Sequence, residues 1–360
     1  MNLTATLLAW YEMAARELPW RKTRDPYCIW ISEVILQQTR VKQGYSYYER
    51  FIARFPDVGT LATAPEEEVL KLWQGLGYYS RARNLHTGAR QIMQHFQGVI
   101  PLSYKELIKI KGIGPYTAAA IASIAGNEPV PVLDGNTLRV YSRLFGIQDP
   151  VDKASGREQC RLAGEGLMFH REPGNFNQAV MELGALICTP RSPRCQDCPV
   201  RMHCLAYARN LQDTLPRKAG SVSLKEININ YLVLLTRSKD SYWLFMKQRK
   251  QGIWRHLYDF PENLPDTELQ WPPLSDCIHH QLFLLGIPWN FKLFSKMRHV
   301  LTHRTIHAQF NVYIAENEPR ADIPSDWMRA RLMDNNLPEL PIPRLIEKFL
   351  KGKDFMNILV

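Results

Sequence analysis

The sequence predicts a multidomain protein, with an all-α region over residues 1–210, a linker over 211–224 and an α+β domain over 225–360. Three observations carry this. A chain of 360 residues exceeds one ordinary domain of roughly 100–200 residues. Up to the linker, apolar residues recur at helical spacing and no stretch reads as a strand. Beyond it, Ile227, Ile229, Tyr231, Val233 and Leu235 alternate with polar residues. The formal net charge of +10 and pI near 9.2 point to a polyanionic partner, nucleic acid first. No apolar run is long enough to span a bilayer, and the N-terminus has neither a basic start nor a cleavage site. The expectation is a cytoplasmic protein, associated with the nucleoid in a bacterium, with no membrane partner.

Leu3, Leu7, Tyr11, Ala14, Ala15 and Leu18 predict a first helix, which Pro19 stops before the basic loop Arg21–Pro26. The next helix, about Ile29–Val41, puts Ile31, Val34 and Ile35 on an apolar stripe and Glu33, Gln37 and Arg40 opposite. Read alone, that second face is a solvated surface. Thr63 and Glu66 have capping-box spacing for a helix ending near Trp73. In the following Gln74–Arg81 stretch, two glycines flank Leu76 and precede paired tyrosines. That composition suits a loop that pushes a wedge into a base stack, with Arg81 and Arg83 available to phosphates, or else a turn with core aromatics. Leu85, Ala89, Ile92, Met93 and Phe96 carry the next helix.

Residues 107–125 read as a helix-hairpin-helix. Ser103 and Glu106 form a capping-box pattern, Gly112-Ile113-Gly114 supplies the turn, and Pro115 suits the first position of a second helix of small residues. Backbone N–H groups at such a corner are a seat for phosphate; an ordinary αα-corner is the alternative. Asp134-Gly135-Asn136 then opens an amphipathic helix with Leu138, Tyr141, Leu144 and Phe145, where Asp134 is either a functional carboxylate held ionised by amides or a plain cap. Helical spacing continues over Gln159–Met168 and Phe176–Ile187.

Of the 7 cysteines, Cys188, Cys195, Cys198 and Cys204 cluster as C-x6-C-x2-C-x5-C over residues 188–204, while Cys28, Cys160 and Cys277 stand apart. Four thiolates in one loop fit zinc or an iron–sulfur cube; the wide flanks favour the cube, because zinc sites bring two close pairs together. Arg191, Arg194 and Arg201 make the loop basic. In the second domain, strands are expected at Ile227–Leu235, Tyr242–Met246, Lys292–His299 and Thr305–Ile314, with helices at Ser275–Leu285, Trp327–Leu332 and Ile342–Lys351.

The hairpin followed by Asp134 resembles the helix-hairpin-helix DNA glycosylase superfamily, and the helix ISEVILQQTRV resembles the catalytic helix of its adenine-specific MutY family. The cysteine spacing is similar to that of the endonuclease III and MutY branches, which implies one 4Fe–4S cluster. Gly252-Ile253-Trp254 and Leu257–Glu262 resemble the Nudix-like (MutT-like) domain of that family, without the clustered glutamates of a pyrophosphatase. The resemblance implies a DNA N-glycosylase that removes adenine opposite 8-oxoguanine or guanine in base excision repair. Glu33 would be the protonated acid and Asp134 the ionised partner, with Asn136 orienting the site and Tyr116 either contacting the intermediate or a catalytic water, or serving as an ordinary packing tyrosine. Pro115-Tyr116 stands where glycosylase/lyases carry a lysine, so lyase activity is expected to be weak or absent. Gln37, Gln38, Thr39, Arg40, Leu76, Tyr78, Arg81 and the Gly112–Gly114 hairpin would contact duplex DNA. Leu301-Thr302-His303 would probe the lesion, with leucine in place of the family's aromatic residue; a strand-end histidine is the plain reading of His303. The implied partner is lesion-bearing double-stranded DNA met by a monomer, with replication or repair proteins as further partners. A thymine-specific relative and a non-enzymatic iron–sulfur DNA-binding protein are the competing readings.

Overall fold

The computed structural model describes residues 2–220, 225–238, 241–261, 288–317, 324–333 and 337–359. They fall into two compact units, Met1–Ala64 with Ser80–Ser221, and Pro65–Tyr79 with Val222–Val360.

The first unit is helical: α1 (Leu3–Ala14), α2 (Pro26–Leu36), α3 (Val41–Arg54) and α4 (Val58–Thr63); then, past α5 (Glu66–Trp73) of the second unit, α6 (Ser80–His95), α7 (Tyr104–Leu107), α8 (Pro115–Ile124), α9 (Gly135–Phe145), α10 (Ala154–Leu167), α11 (Pro173–Leu186) and α12 (Leu205–Ala208). Leu138, Tyr141 and Leu144 of α9 pack with Phe176, Val180 and Leu183 of α11. The alanines of α8 are buried, and this helix packs on both α2 and α11. The hairpin turn requires its glycine: Gly112 has φ of 85°, and a Cβ there would come within 3.0 Å of Asn84 backbone.

Three local expectations are corrected. α2 ends at Leu36, and Gln38 adopts φ of 58°, so Gln37–Arg40 form a turn into α3 and Glu33, Gln37 and Arg40 do not share one helix face. Thr63 closes α4, its hydroxyl donating to Gly59 O, and α5 starts behind Pro65 without a side-chain cap. Ser103 precedes α7 but its side chain makes no capping bond; the Glu128 carboxylate accepts from Tyr104 N instead, at 2.7 Å.

The second unit is built on a sheet of order β3-β2-β1-β5-β4 with β6 on β2: β1 (Lys225–Ser238), β2 (Ser241–Gln248), β3 (Tyr258–Asp259), β4 (Asn290–Leu301), β5 (Arg304–Ala315) and β6 (Trp327–Arg331). β1 and β5 run parallel with Ile227 opposite Ile306; the other pairs are antiparallel. Helices α13 (Arg344–Leu350) and α14 (Lys353–Asn357) follow, and Phe349 stacks on Phe310 with ring centres 4.0 Å apart. The helix expected at Trp327–Leu332 is strand β6. Its Ala330 faces the core beside Leu244, and Trp327 meets Phe245 edge-on, so pairing with β2 overrides helical spacing. The helix expected at Ser275–Leu285 lies outside the described residues. Among those described, no helix is long and apolar enough to cross a membrane.

Candidate active site

A cleft of about 570 Å³ opens in the first unit between α2, α8, α9 and α11. Glu33 reaches it from α2 and is only 7% exposed. The Tyr116 hydroxyl, at the start of α8, donates to Glu33 Oε2. Burial drives the Glu33 pKa up to about 7; the Tyr116 hydrogen bond opposes the rise, the charge of Asp134 adds to it, and the charge of Arg21 opposes it least. Burial beside these carboxylates holds the Tyr116 phenol well above its ordinary value, so it is a neutral donor.

Asp134 is the N-cap of α9 in a closed capping box. Its Oδ1 accepts from Asn136 N at 2.9 Å and Thr137 N at 2.7 Å, while Oδ2 accepts from Asn136 Nδ2 at 2.9 Å. Asn136 is held in turn: Arg139 donates to its Oδ1 at 3.0 Å and to Gly184 O at 2.7 Å. The cleft thus pairs a carboxyl poised to be protonated with one locked by donors, the arrangement acid-assisted bond cleavage needs.

Sequence reasoning missed the far wall. Glu182 of α11 is buried and lines the cleft with Arg16, Trp20, Arg21 and Gln178. Arg16 Nη2 and Arg21 Nη2 donate to Glu182 Oε2 at 2.7 and 2.8 Å. Burial alone would raise the Glu182 pKa, but these hydrogen bonds bring it down to about 2. No local signal joins residues some 160 positions apart; the loop at Arg21 was legible only as polar and basic.

Residues 31–162 match the HhH-GPD superfamily of base excision DNA repair proteins and residues 232–352 the NUDIX domain. The adenine DNA glycosylase of Buchnera aphidicola subsp. Schizaphis graminum (strain Sg) is 31% identical over 352 residues, 96% of either chain. The chain belongs to the adenine DNA glycosylase family. The human adenine DNA glycosylase is 42% identical over 228 residues, 61% of this chain and 41% of the human one. In structure, the family fold is shared with a thermostable thymine-DNA glycosylase (TM-score 0.52, 28% identity, 57% of this chain and 95% of that one). A trapped endonuclease III–DNA intermediate has a TM-score of 0.50 at 21% identity, over 58% of this chain and 95% of that one, a likeness of fold alone.

This adenine DNA glycosylase family chain brings its four clustered cysteines together: Cys188, Cys195, Cys198 and Cys204 ring one small cavity with Arg143. Arg143 Nη1 lies 3.4 Å from Cys188 Sγ and 2.7 Å from Thr189 O. Four thiols around one space, with a cation against them, fit an anionic cluster of thiolates. Arg139 and Arg143, buried on the helix that Asp134 caps, are the second feature missed.

Among the expected DNA contacts, Thr39 and Arg40 line the cleft, and Gln37 Nε2 donates to Thr117 Oγ1 at 3.3 Å. Arg81 Nη1 donates to the Val34, Ile35 and Gln37 carbonyls, which ties the guanidinium to the end of α2. Ile113 is buried beneath the hairpin. In the second unit, Leu76 is buried while Tyr78 is 42% exposed with φ of 47°. Thr302 and His303 form the exposed turn between β4 and β5, and Thr302 pairs with the Tyr78 hydroxyl.

Proposed function

We propose that this protein is a monofunctional adenine DNA glycosylase of base excision repair, acting as a monomer on adenine mispaired with 8-oxoguanine or guanine. The observation that carries the reading is the pairing of buried Glu33, with its raised pKa, with donor-locked Asp134 in one cleft. Adenine leaves the duplex at a cost of a few kcal/mol, less at a mispair. Protonated Glu33 delivers its proton to the departing base, and Asp134 stabilises the oxocarbenium-like sugar. Tyr116 holds the Glu33 carboxyl in place through its hydroxyl, and Asn136 orients Asp134. Arg16, Gln178 and Glu182 form the polar wall against which the base is received.

Cys188, Cys195, Cys198 and Cys204 would hold one 4Fe–4S cluster, whose part when bound is to fix this loop. The Gly112–Gly114 amides and Arg40 serve the DNA backbone, with the Gln37–Thr39 turn beside them. Tyr78 and the Leu301-Thr302-His303 turn read the lesion opposite adenine. No lysine follows the Gly112–Gly114 turn directly, and the sequence after Pro261 lacks clustered glutamates, so neither lyase nor Nudix pyrophosphatase activity is expected.

Single-turnover reaction with a duplex carrying adenine opposite 8-oxoguanine, analysed with and without alkali, tests the proposal. Strand breaks that need alkali support base removal without lyase action. Breaks without alkali overturn the monofunctional reading and direct attention to Lys42, which lines the cleft. Binding without cleavage in either sample leaves a DNA-binding protein and overturns the enzyme reading.

A further inference from the structure

Residues 65–79 belong to the second unit although chain order places them within the helical region. The stretch is joined to residues 222–360 by polar contacts along its whole length. Lys71 Nζ donates to Pro338 O at 2.8 Å and Leu340 O at 3.1 Å. Gln74 Oε1 accepts from Ile342 N at 3.3 Å, and Tyr79 Oη donates to Ile342 O at 3.2 Å. Glu66 pairs with His256, and Glu67 with the Tyr258 hydroxyl.

Between Gln74 and Tyr79 lies the loop that carries Tyr78. Gly75 and Gly77 have φ of 100° and 72°, and Tyr78 itself sits at φ of 47°. A tyrosine keeps a left-handed backbone only when its surroundings over-determine it. Here the loop is held on both sides by the same residue, Ile342. Burial lowers the Lys71 pKa, against the charges of Glu347 and Glu339. A methionine of similar length would fill this space at less desolvation cost, so what the ammonium adds is direction: two fixed carbonyls set the rotation of α5.

We propose that Lys71 and Gln74 are positioning residues for specificity: by fixing α5 and its loop to the 338–342 segment, they hold Tyr78 against Thr302 and so set the preference for 8-oxoguanine over guanine opposite adenine. This rests on the function proposed above. It also gives the C-terminal unit a hold on discrimination through main-chain groups remote from the Leu301-Thr302-His303 turn.

The test uses full-length protein and duplexes in which a 2′-fluoro adenosine, which resists excision, faces 8-oxoguanine or guanine. Fluorescence anisotropy gives the ratio of the two Kd values, and single-turnover excision of ordinary adenosine at saturating enzyme gives the chemical rate. Lys71→Met and Gln74→Leu are each expected to lower the Kd ratio about tenfold while the saturating rate stays within about twofold, and Lys71→Arg is expected to keep the ratio. An unchanged ratio in both variants overturns the proposal, as does a rate that falls in step with the ratio. If Lys71→Met does not fold by circular dichroism, Tyr79→Phe, which removes only the hydroxyl on Ile342 O, is read in its place by the same criteria. A wild-type protein that fails to excise adenine, or that shows no lesion preference, sinks the underlying function instead.

Discussion

At the residue scale, the proposed chemistry turns on one proton. In the proposed mechanism Glu33 acts in its protonated form, and burial pushes its pKa up to about 7. The single-turnover rate is therefore expected to be level in mild acid and to fall about tenfold per pH unit well above 7. A rate that rises through that range would remove Glu33 as the acid. Glu33→Gln is expected to bind the lesion duplex and to lose about 100-fold or more in rate. Its stability should move the other way. The carboxyl has an ordinary value of 4.5, so between there and about 7 the folded state keeps a proton that the unfolded state has lost. Stability then declines as pH rises through this window, and Glu33→Gln should be more stable than wild type at pH ~8 by about 2–3 kcal/mol, with the gap closing near pH ~5 in thermal melts. Glu182 has the opposite sign. Its pKa is lowered to about 2, so its contribution is present above 4.5 and fades in acid. Glu182→Gln leaves Arg16 and Arg21 without their carboxylate and should cost about 3 kcal/mol in denaturant unfolding at neutral pH. Of these side chains, Glu33 and Asp134 were legible from helix position and resemblance. The Arg16–Glu182–Arg21 group was not, because nothing local distinguishes a carboxylate that meets two arginines only after folding.

At the scale of elements, the close approach of α9 and α11 decides how Asn136 is held. A Cβ on Gly184 would lie 2.7 Å from Asn136 Cβ and 3.0 Å from its carbonyl oxygen. Gly184→Ala must therefore push Asn136 away from Asp134, and we expect a stability loss of about 1–3 kcal/mol together with at least a tenfold slower single-turnover rate. A variant destabilised but with the wild-type rate would show that Asn136 does not orient the site. The hairpin, the α9 cap and the cysteine spacing were readable because glycine, proline, capping aspartate and cysteine act through local geometry. β6 and the end of α2 were misread for the converse reason: Trp327–Arg331 takes its conformation from β2, and α2 stops where Arg81, 46 residues beyond Ile35, donates to its last carbonyls.

At the scale of the molecule, a net charge of +10 implies that binding to undamaged duplex is largely counterion release. Affinity is expected to fall roughly a thousandfold or more between about 50 and 200 mM salt if six or more phosphates are engaged. A nearly salt-independent Kd would show that the charge is not spent on the duplex. The chain also departs from a simple order of domains, since residues 65–79 complete the C-terminal unit.

The sequence by itself determined the two-part architecture, the helix-hairpin-helix, the capped aspartate and the four-cysteine loop, since each rests on residue types whose local physics leaves few alternatives. Only the tertiary structure decided that Glu33 is buried enough to hold a proton near neutrality, that Glu182 and two arginines close the cleft, and that α5 belongs to the second unit. Desolvation and long-range pairing depend on which distant groups arrive, and periodicity along the chain carries no record of that.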